Sequence, residues 1–298
     1  MSETIEKTRI SDEDILKKID GHSKKAKNYF LASPIFIIGG IISLNITGKE
    51  FSIYSLVGIA LILVFLFLFA KGITSASKAT EVFKSNVVKY ALEDIIDNCV
   101  YNSKESITEK RIKETGLFSG WNNFHGNDYI SGTYKGHKIE ISDIFLEQEV
   151  ERGSGDNKKT VKTTIFKGQW MTCKLAKNLP AVIRLSESSK KGNIETENIA
   201  FNNKYSIYTD NPHYMFYVLT PHFMEYIVSA DEVAEARTFF CFEKDTVHIA
   251  IYNGHDAFEM PARKDCKENF SLAREQIKAE MKYITEILDE LLRNDSLF

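Results

Sequence analysis

Two long runs without a charge constrain this chain more than any other feature. No charged residue occurs in residues 28–48 or in residues 51–70. A helix needs about 20 apolar residues to cross the hydrocarbon of a bilayer, and both runs have that length. The second is the stronger: residues 51–69 hold fourteen Leu, Ile, Val and Phe residues. At roughly −0.3 to −0.6 kcal/mol each near the bilayer centre, insertion is favoured by several kcal/mol. The first run is diluted by Ser33, Pro34, Gly39, Gly40, Ser43 and Asn45. In it Gly39 and Ser43 make a small-xxx-small pair, the pattern that lets two helices approach closely. The competing reading is a pair of buried core helices, but soluble cores rarely run so far without a charge.

The polar stretch "NITGKEF" between the runs is short, so the two spans are expected to be antiparallel. Lys24, Lys25 and Lys27 precede the first span, and Lys71, Lys78 and Lys84 follow the second. The turn carries only Lys49, beside Glu50. The excess of lysine on one side places both termini in the cytoplasm. These lysines also attract anionic lipid without a dedicated site. A polar preface of about 28 residues is long for a signal peptide, and a second span follows, so cleavage is not expected. Asn45-Ile46-Thr47 matches a glycosylation sequon, but it lies too close to the bilayer for ready use.

The remaining chain is polar and lysine-rich. Its net charge of −3 gives no global basic field for nucleic acid. The four cysteines, Cys99, Cys173, Cys241 and Cys266, show neither a CxxC nor a zinc-ligand spacing and read as reduced thiols. Ser11 with Asp14 caps a short helix, "DEDILKKI". After the second span, Ala79, Phe83, Val87, Ala91 and Ile95 recur every four residues. They predict a stalk helix whose stripe covers the downstream domain or a second copy of the chain. Ser106 and Glu109 read as a capping box, with Gly116 as the stop.

From Tyr129 the pattern becomes strand-like, with a hairpin at "KGHK". A polar loop, residues 152–160, comes next. "VKTTIFKGQWMTCKL", "AVIRLSE" and "NKYSIYT" continue the strand series. Asn211-Pro212 and Thr220-Pro221 open two helices. "ARTFFCFEKDTVHIAIYNG" is a further strand pair. The last helix, residues 267–293, carries a heptad-like seam of Phe270, Ile277, Met281, Ile284, Leu288 and Leu291.

The order argues for an α+β protein: a two-span transmembrane hairpin, then a mainly antiparallel sheet domain with flanking helices and a C-terminal helix. The expected divisions are a polar segment 1–28 and a hairpin 29–70 (spans about 29–46 and 51–70). A stalk helix 71–100, an α+β domain 101–266 and a C-terminal amphipathic helix 267–298 follow.

"DYISGTYKGHKIEISDI", "IFKGQW", "FNNKYSIYTDNPHYMFYVLTPHFMEYI" and "HIAIYNGHDAFE" together resemble the bacterial membrane proteins grouped as domain of unknown function 3137. The resemblance covers about residues 75–260 and is most specific over residues 201–227. It implies a bacterial membrane protein with two spans, and it supplies no catalytic residues. Such proteins tend to be encoded beside LemA-type membrane proteins, which implies a partner of that kind.

No catalytic, cofactor or metal residue is assigned from the residues themselves. His213 and His222 lie nine apart, where ligands on one helix face want three or four. His248 falls in a strand and His137 at a hairpin. Acids cluster at Glu140, Asp143, Glu147, Glu149 and Glu151, and the last three share one face of a strand. They read as a charged strand edge guarding against aggregation, with a divalent cation as the competing reading. The loop 152–160 lacks the GK[ST] of a phosphate-binding loop, and no serine sits in a G-x-S-x-G elbow. Trp170 and the dense aromatics of residues 201–223 read as core.

The expected function is therefore a membrane-anchored, cytosol-facing binding or scaffold module without a cofactor. It would engage a partner protein at the inner membrane, with self-association as a further possibility. The alternatives are an enzyme at the same membrane face and a lipid-reading domain.

Overall fold

The computed structural model describes residues 9–46, 52–153, 158–187, 192–234, 236–259 and 270–293. Residues 47–51 of the expected turn 45–51 and the middle of the polar loop 152–160 lie outside the described residues. The chain divides into two compact units, Met1–Val88 with Met260–Phe270, and Lys89–Glu259 with Ser271–Phe298.

The first unit is an antiparallel helical hairpin, α1 (Asp12–Ile46) and α2 (Ile53–Phe83). Ser11 does cap α1, accepting from the Asp14 amide at 3.2 Å and donating to its carboxylate at 2.8 Å. The helix is not short, however. Nothing after "DEDILKKI" breaks it, and it runs on through the apolar segment to Ile46. Both helices are long and apolar enough to cross a membrane, and only 11% of each apolar window is buried. A soluble core helix would be mostly buried. Here Leu31, Ile35, Ile41, Leu63, Leu66 and Phe67 point outward instead. Each helix could thus span a membrane.

The helices meet on small residues: Ser43 of the expected pair is in the contact, and Gly40 takes the place of Gly39. Ser33, Gly40, Ser43, Ser55 and Gly58 are buried. A Cβ on Gly40 would lie 3.0 Å from the Gly58 carbonyl oxygen, and one on Gly58 would lie 3.0 Å from that of Gly40. Gly39 faces only Leu61, at 3.5 Å. The Ser43 hydroxyl donates to the Tyr54 carbonyl at 2.7 Å, which closes the hairpin. Gly40→Ala is thus expected to destabilise the helix pair by about 1–3 kcal/mol through overpacking. Gly39→Ala should leave it unchanged. Melting of the two variants in detergent checks this contrast.

Part of the stripe predicted on the stalk is covered inside this unit. Ser23, Ala26 and Phe30 of α1 share a groove with Ala76, Ala79 and Thr80 of α2. A π-helical turn, Lys84–Val88, and α3 (Lys89–Glu93) follow α2 without a break.

The second unit is built on one eight-stranded antiparallel sheet among the described residues. Its strands are β1 (Asp97–Asn102), β2 (Asn123–Tyr134), β3 (His137–Arg152), β4 (Lys159–Lys174), β5 (Ile183–Ser186), β6 (Ser206–Thr209), β7 (Arg237–Glu243) and β8 (Thr246–Tyr252). The spatial order is β1-β2-β3-β4-β8-β7-β5-β6. The expected stalk over residues 71–100 therefore stops at Glu93. The segment "DNCVYN" pairs with β2 as an edge strand, Val100 opposite Ser131. Lack of Gly or Pro made it resemble a helix end; the open edge of β2 decides otherwise.

Turn chemistry sets the hairpins. Lys135 and Gly136 join β2 to β3 with φ of 48° and 89°, the double positive φ of a type I′ turn. Gly168 is required for sheet contact, since a Cβ there would meet the Ile251 carbonyl oxygen at 2.1 Å. Its φ of +155° is also one that side-chain-bearing residues rarely adopt.

One face of the sheet carries the aromatic core. Ile144, Leu146, Phe166, Trp170, Phe239 and Ala250 pack with Ile107 and with Ile112 of α4 (Glu109–Thr115). The cap of α4 is Thr108, which accepts from the Arg111 amide, rather than Ser106. Gly116 ends the helix at φ +64°, as expected.

The helices α5 (Ile199–Lys204), α6 (Pro212–Val218), α7 (Pro221–Ala234) and α8 (Phe270–Leu292) complete the unit. Asn211 and Thr220 cap α6 and α7 at 3.1 and 3.2 Å, as the two Pro signals imply. On the sheet face opposite the aromatic core, Phe223 of α7 stacks edge-on to Phe240. Tyr283 of α8 meets Thr238 there at 2.9 Å. Asp289 of α8 takes Tyr134 at 3.0 Å, and Lys278 pairs with Asp94 at 3.2 Å. The predicted seam residues Ile277, Met281, Ile284, Leu288 and Leu291 are buried, so the apolar face of α8 belongs to the core of this unit.

Candidate functional site

A charged cleft of about 400 Å³ opens on the aromatic-core face. It is lined by Arg111, Glu114, Glu140, Lys174, Glu243, Lys244, Asp245, Thr246 and His248. A second hollow, lined by Tyr129, Ser131 and Lys138 among others, adjoins it and shares Arg111, Glu140, Lys174 and Thr246.

Strand register builds the floor. Ser131, Glu140, Thr172, His248 and Cys241 stand side by side on five neighbouring strands. Side chains in such a row share one face of a sheet. α4 supplies Arg111 over this row, held there because Ile112 is buried in the core beneath.

Glu140 is the hub. It takes Arg111 at 2.6 Å, the Tyr129 hydroxyl at 2.6 Å and the Thr172 hydroxyl at 3.1 Å. Burial alone would raise its carboxyl; the bonds from Tyr129 and Arg111 outweigh that and hold it below the ordinary value. Tyr129 is shifted the other way, by burial and by donating to Glu140. At the mouth, Lys174 pairs with Asp245 at 2.7 Å and keeps that carboxyl low.

His248 forms part of the wall and is nearly buried. Burial, with the charge of Arg111 and against that of Glu140, pushes it down to about 4, so the ring is neutral near pH 7. Trp170 Nε1–H donates to Nδ1 at 3.4 Å, which assigns the ring hydrogen to Nε2, facing Glu243 at 3.5 Å. Both ring nitrogens are therefore engaged, and His248 offers no free lone pair to a substrate. The thiols near the sheet are inert as well. Burial pushes Cys99 up to about 11, and Cys173 and Cys241 up to about 12, so the nucleophilic thiolate is scarce at neutral pH.

The other sequence candidates do not gather here. His213 is at the start of α6, and His222 of α7 meets Glu290 at 3.0 Å. Glu147, Glu149 and Glu151 lie on β3, whose outer part continues past the start of β2. There Asn122 clips the Glu149 backbone with two 2.8 Å bonds. Glu149 and Glu151 pair with Lys162 and Lys158 at 3.3 and 3.1 Å, a solvated ladder across the β3–β4 hairpin. Sequence reasoning placed His248 in a strand but missed Glu140 as a hub. Its partners are 11, 29 and 32 residues away, and only the fold joins them.

No curated protein and no solved structure matches the chain. What does match is a family model: residues 164–293, from within β4 to the end of α8, fit the family described as Protein of unknown function (DUF3137), the one the sequence resembles.

Proposed function

We propose that this chain is a two-span protein of the bacterial inner membrane, both termini cytoplasmic, whose sheet unit binds a partner protein through the charged cleft. The observation that carries the reading is the composition of that cleft. Three basic side chains (Arg111, Lys174, Lys244) stand against four acidic ones (Glu114, Glu140, Glu243, Asp245). Several are already paired, as in Arg111–Glu140 and Lys174–Asp245. A near-neutral, dipolar surface fits a peptide segment carrying both signs, and it does not suit a polyanion. The outward-facing apolar helices support the anchor, and the lysine asymmetry supports the orientation.

A LemA-type membrane protein is the named candidate partner. It is expected to co-purify with the full chain from native membranes, and at least tenfold less with Lys174→Glu. Lys174 and Asp245 are half exposed, so reversal there should cost little stability. Capture unaffected by the reversal counts against the cleft. Reporter fusions after Lys27 and Lys71 should both read cytoplasmic, and a periplasmic signal from either rejects the orientation. One observation favours an enzyme at the same cleft, the His248–Glu243 pair in its wall; the Trp170 bond to the other ring nitrogen counts against it.

A further inference from the structure

On the opposite face of the sheet, away from the cleft, three aspartates converge. Their carboxylate oxygens, one each from Asp128, Asp143 and Asp256, lie within 4.8 Å of one another. Asp128 and Asp143 are buried and Asp256 is exposed. Asp143 is central. It sits between Asn127 on β2 and Gln169 on β4, directly opposite both. Gln169 donates to Oδ1 at 3.2 Å. Oδ2 is buried and has no hydrogen-bond partner among the described residues, in a residue only 3% exposed. Burying a carboxyl oxygen without a hydrogen-bond donor costs folding free energy, and two more carboxyl groups beside it add to that cost.

The backbone delivers the second aspartate. Asn127 pairs with Asp143 and Ile130 with Ile141, so residues 128 and 129 oppose a single residue of β3. Asp128 occupies this bulge with φ 53°. A bulge re-aims side chains, and here it turns the Asp128 carboxylate toward Asp143. Tyr101 donates to Asp128 Oδ1 and Asn127 to Oδ2 at 2.8 Å. Asn253 donates to Gln169 Oε1 at 2.7 Å and so orients the amide that holds Asp143. Asp256 follows β8, with Asn127 3.3 Å from its Oδ1.

We propose that Asp128, Asp143 and Asp256 bind one hard divalent cation, which ties the segment after β8 to the middle of the sheet. An all-oxygen set with three carboxylates selects calcium, magnesium or manganese over softer metals. Three oxygens no more than 4.8 Å apart leave a point within about 2.8 Å of all three, close to the 2.3–2.6 Å of calcium–oxygen bonds. Calcium is thus accommodated with the least movement, and the amides of Asn127 and Gln169 act as the outer shell that fixes the ligands.

The test is titration calorimetry on the full chain in detergent, stripped with EDTA, using Ca2+ alone and then Mg2+ and Mn2+ alone. The expected result is saturable binding of one Ca2+ per chain and a higher melting temperature in its presence. Asp256→Asn should weaken binding at least tenfold, while its melting temperature without metal is no lower than the parent's, because Asp256 is exposed and its carboxyl group crowds the other two. Asp143→Asn should also lose binding. No saturable binding of any of the three ions overturns the proposal. So does unchanged binding in both variants, which would place the ion elsewhere on the acidic surface.

Discussion

Replacing Trp170 by Ala is expected to destabilise the sheet unit by about 3–5 kcal/mol, the range for truncating a large buried aromatic. Trp170 is fully buried and is the largest side chain of its core. Its ring sits 5.7 Å from Phe166, 5.9 Å from Phe118 and 6.3 Å from His248. Ala leaves a cavity that this framework cannot collapse into, and His248 Nδ1 loses its donor. The loss therefore reaches the cleft wall as well as the core. Trp170→Phe keeps most of the volume and should recover more than half of the loss. Ile199→Ala, at a residue 75% exposed, should stay within about 0.5 kcal/mol of the parent. Urea unfolding of the full chain in detergent measures all three.

Acid is expected to remove about 3 kcal/mol from the same unit through His248 alone. Its ordinary value is 6.5 and its folded value about 4. The folded pKa is depressed, so the unfolded chain takes up the proton first as pH falls. The contribution is whole above pH 6.5, shrinks between 6.5 and 4, and is gone below 4. At 1.36 kcal/mol per pH unit this gives the figure above, and between pH 7 and pH 5 it gives about 2 kcal/mol. The charged groups around the ring are Arg111, Glu140, Lys174 and Glu243, and Arg111 and Lys174 oppose protonation. A His248→Gln variant should flatten the fall between pH 7 and pH 5. A variant whose fall matches the parent would assign the acid sensitivity to other groups.

Much of the architecture was legible because it rests on local chemistry. Charge-free runs marked the two long helices. Lys135-Gly136 fixed a hairpin through positive φ, and Asn211-Pro212 opened a helix. The β-rich run "VKTTIFKGQWMTCKL" marked β4, whose residues 168–173 are all buried because both faces of the sheet are covered there. What failed was decided by neighbours. Asp97–Asn102 resembles a helix end until the edge of β2 pairs with it. Gly40 rather than Gly39 is the contact residue, because the relative rotation of two helices is not written in either alone.

The functional geometry was the least legible part. The row Ser131–Glu140–Thr172–His248–Cys241 needs the register of five strands. The three aspartates need a bulge at Asp128, and a slip of one residue would send each side chain to the other face. The acidic run at Glu147, Glu149 and Glu151, contiguous in sequence, read as a charged strand edge, with a cation only as the competing reading. Lysines on β4 and in the strand's lead-in meet two of its members instead.

The charged cleft is proposed to meet a partner at the membrane. The direct measurement places a photo-reactive amino acid at Glu114, 57% exposed on the rim, and cross-links the full chain in native membranes. One defined adduct of fixed mass is expected, and it should disappear when Lys174→Glu is added. An adduct pattern no different from that of a probe at the exposed Ile199, or one indifferent to the charge reversal, would contradict it.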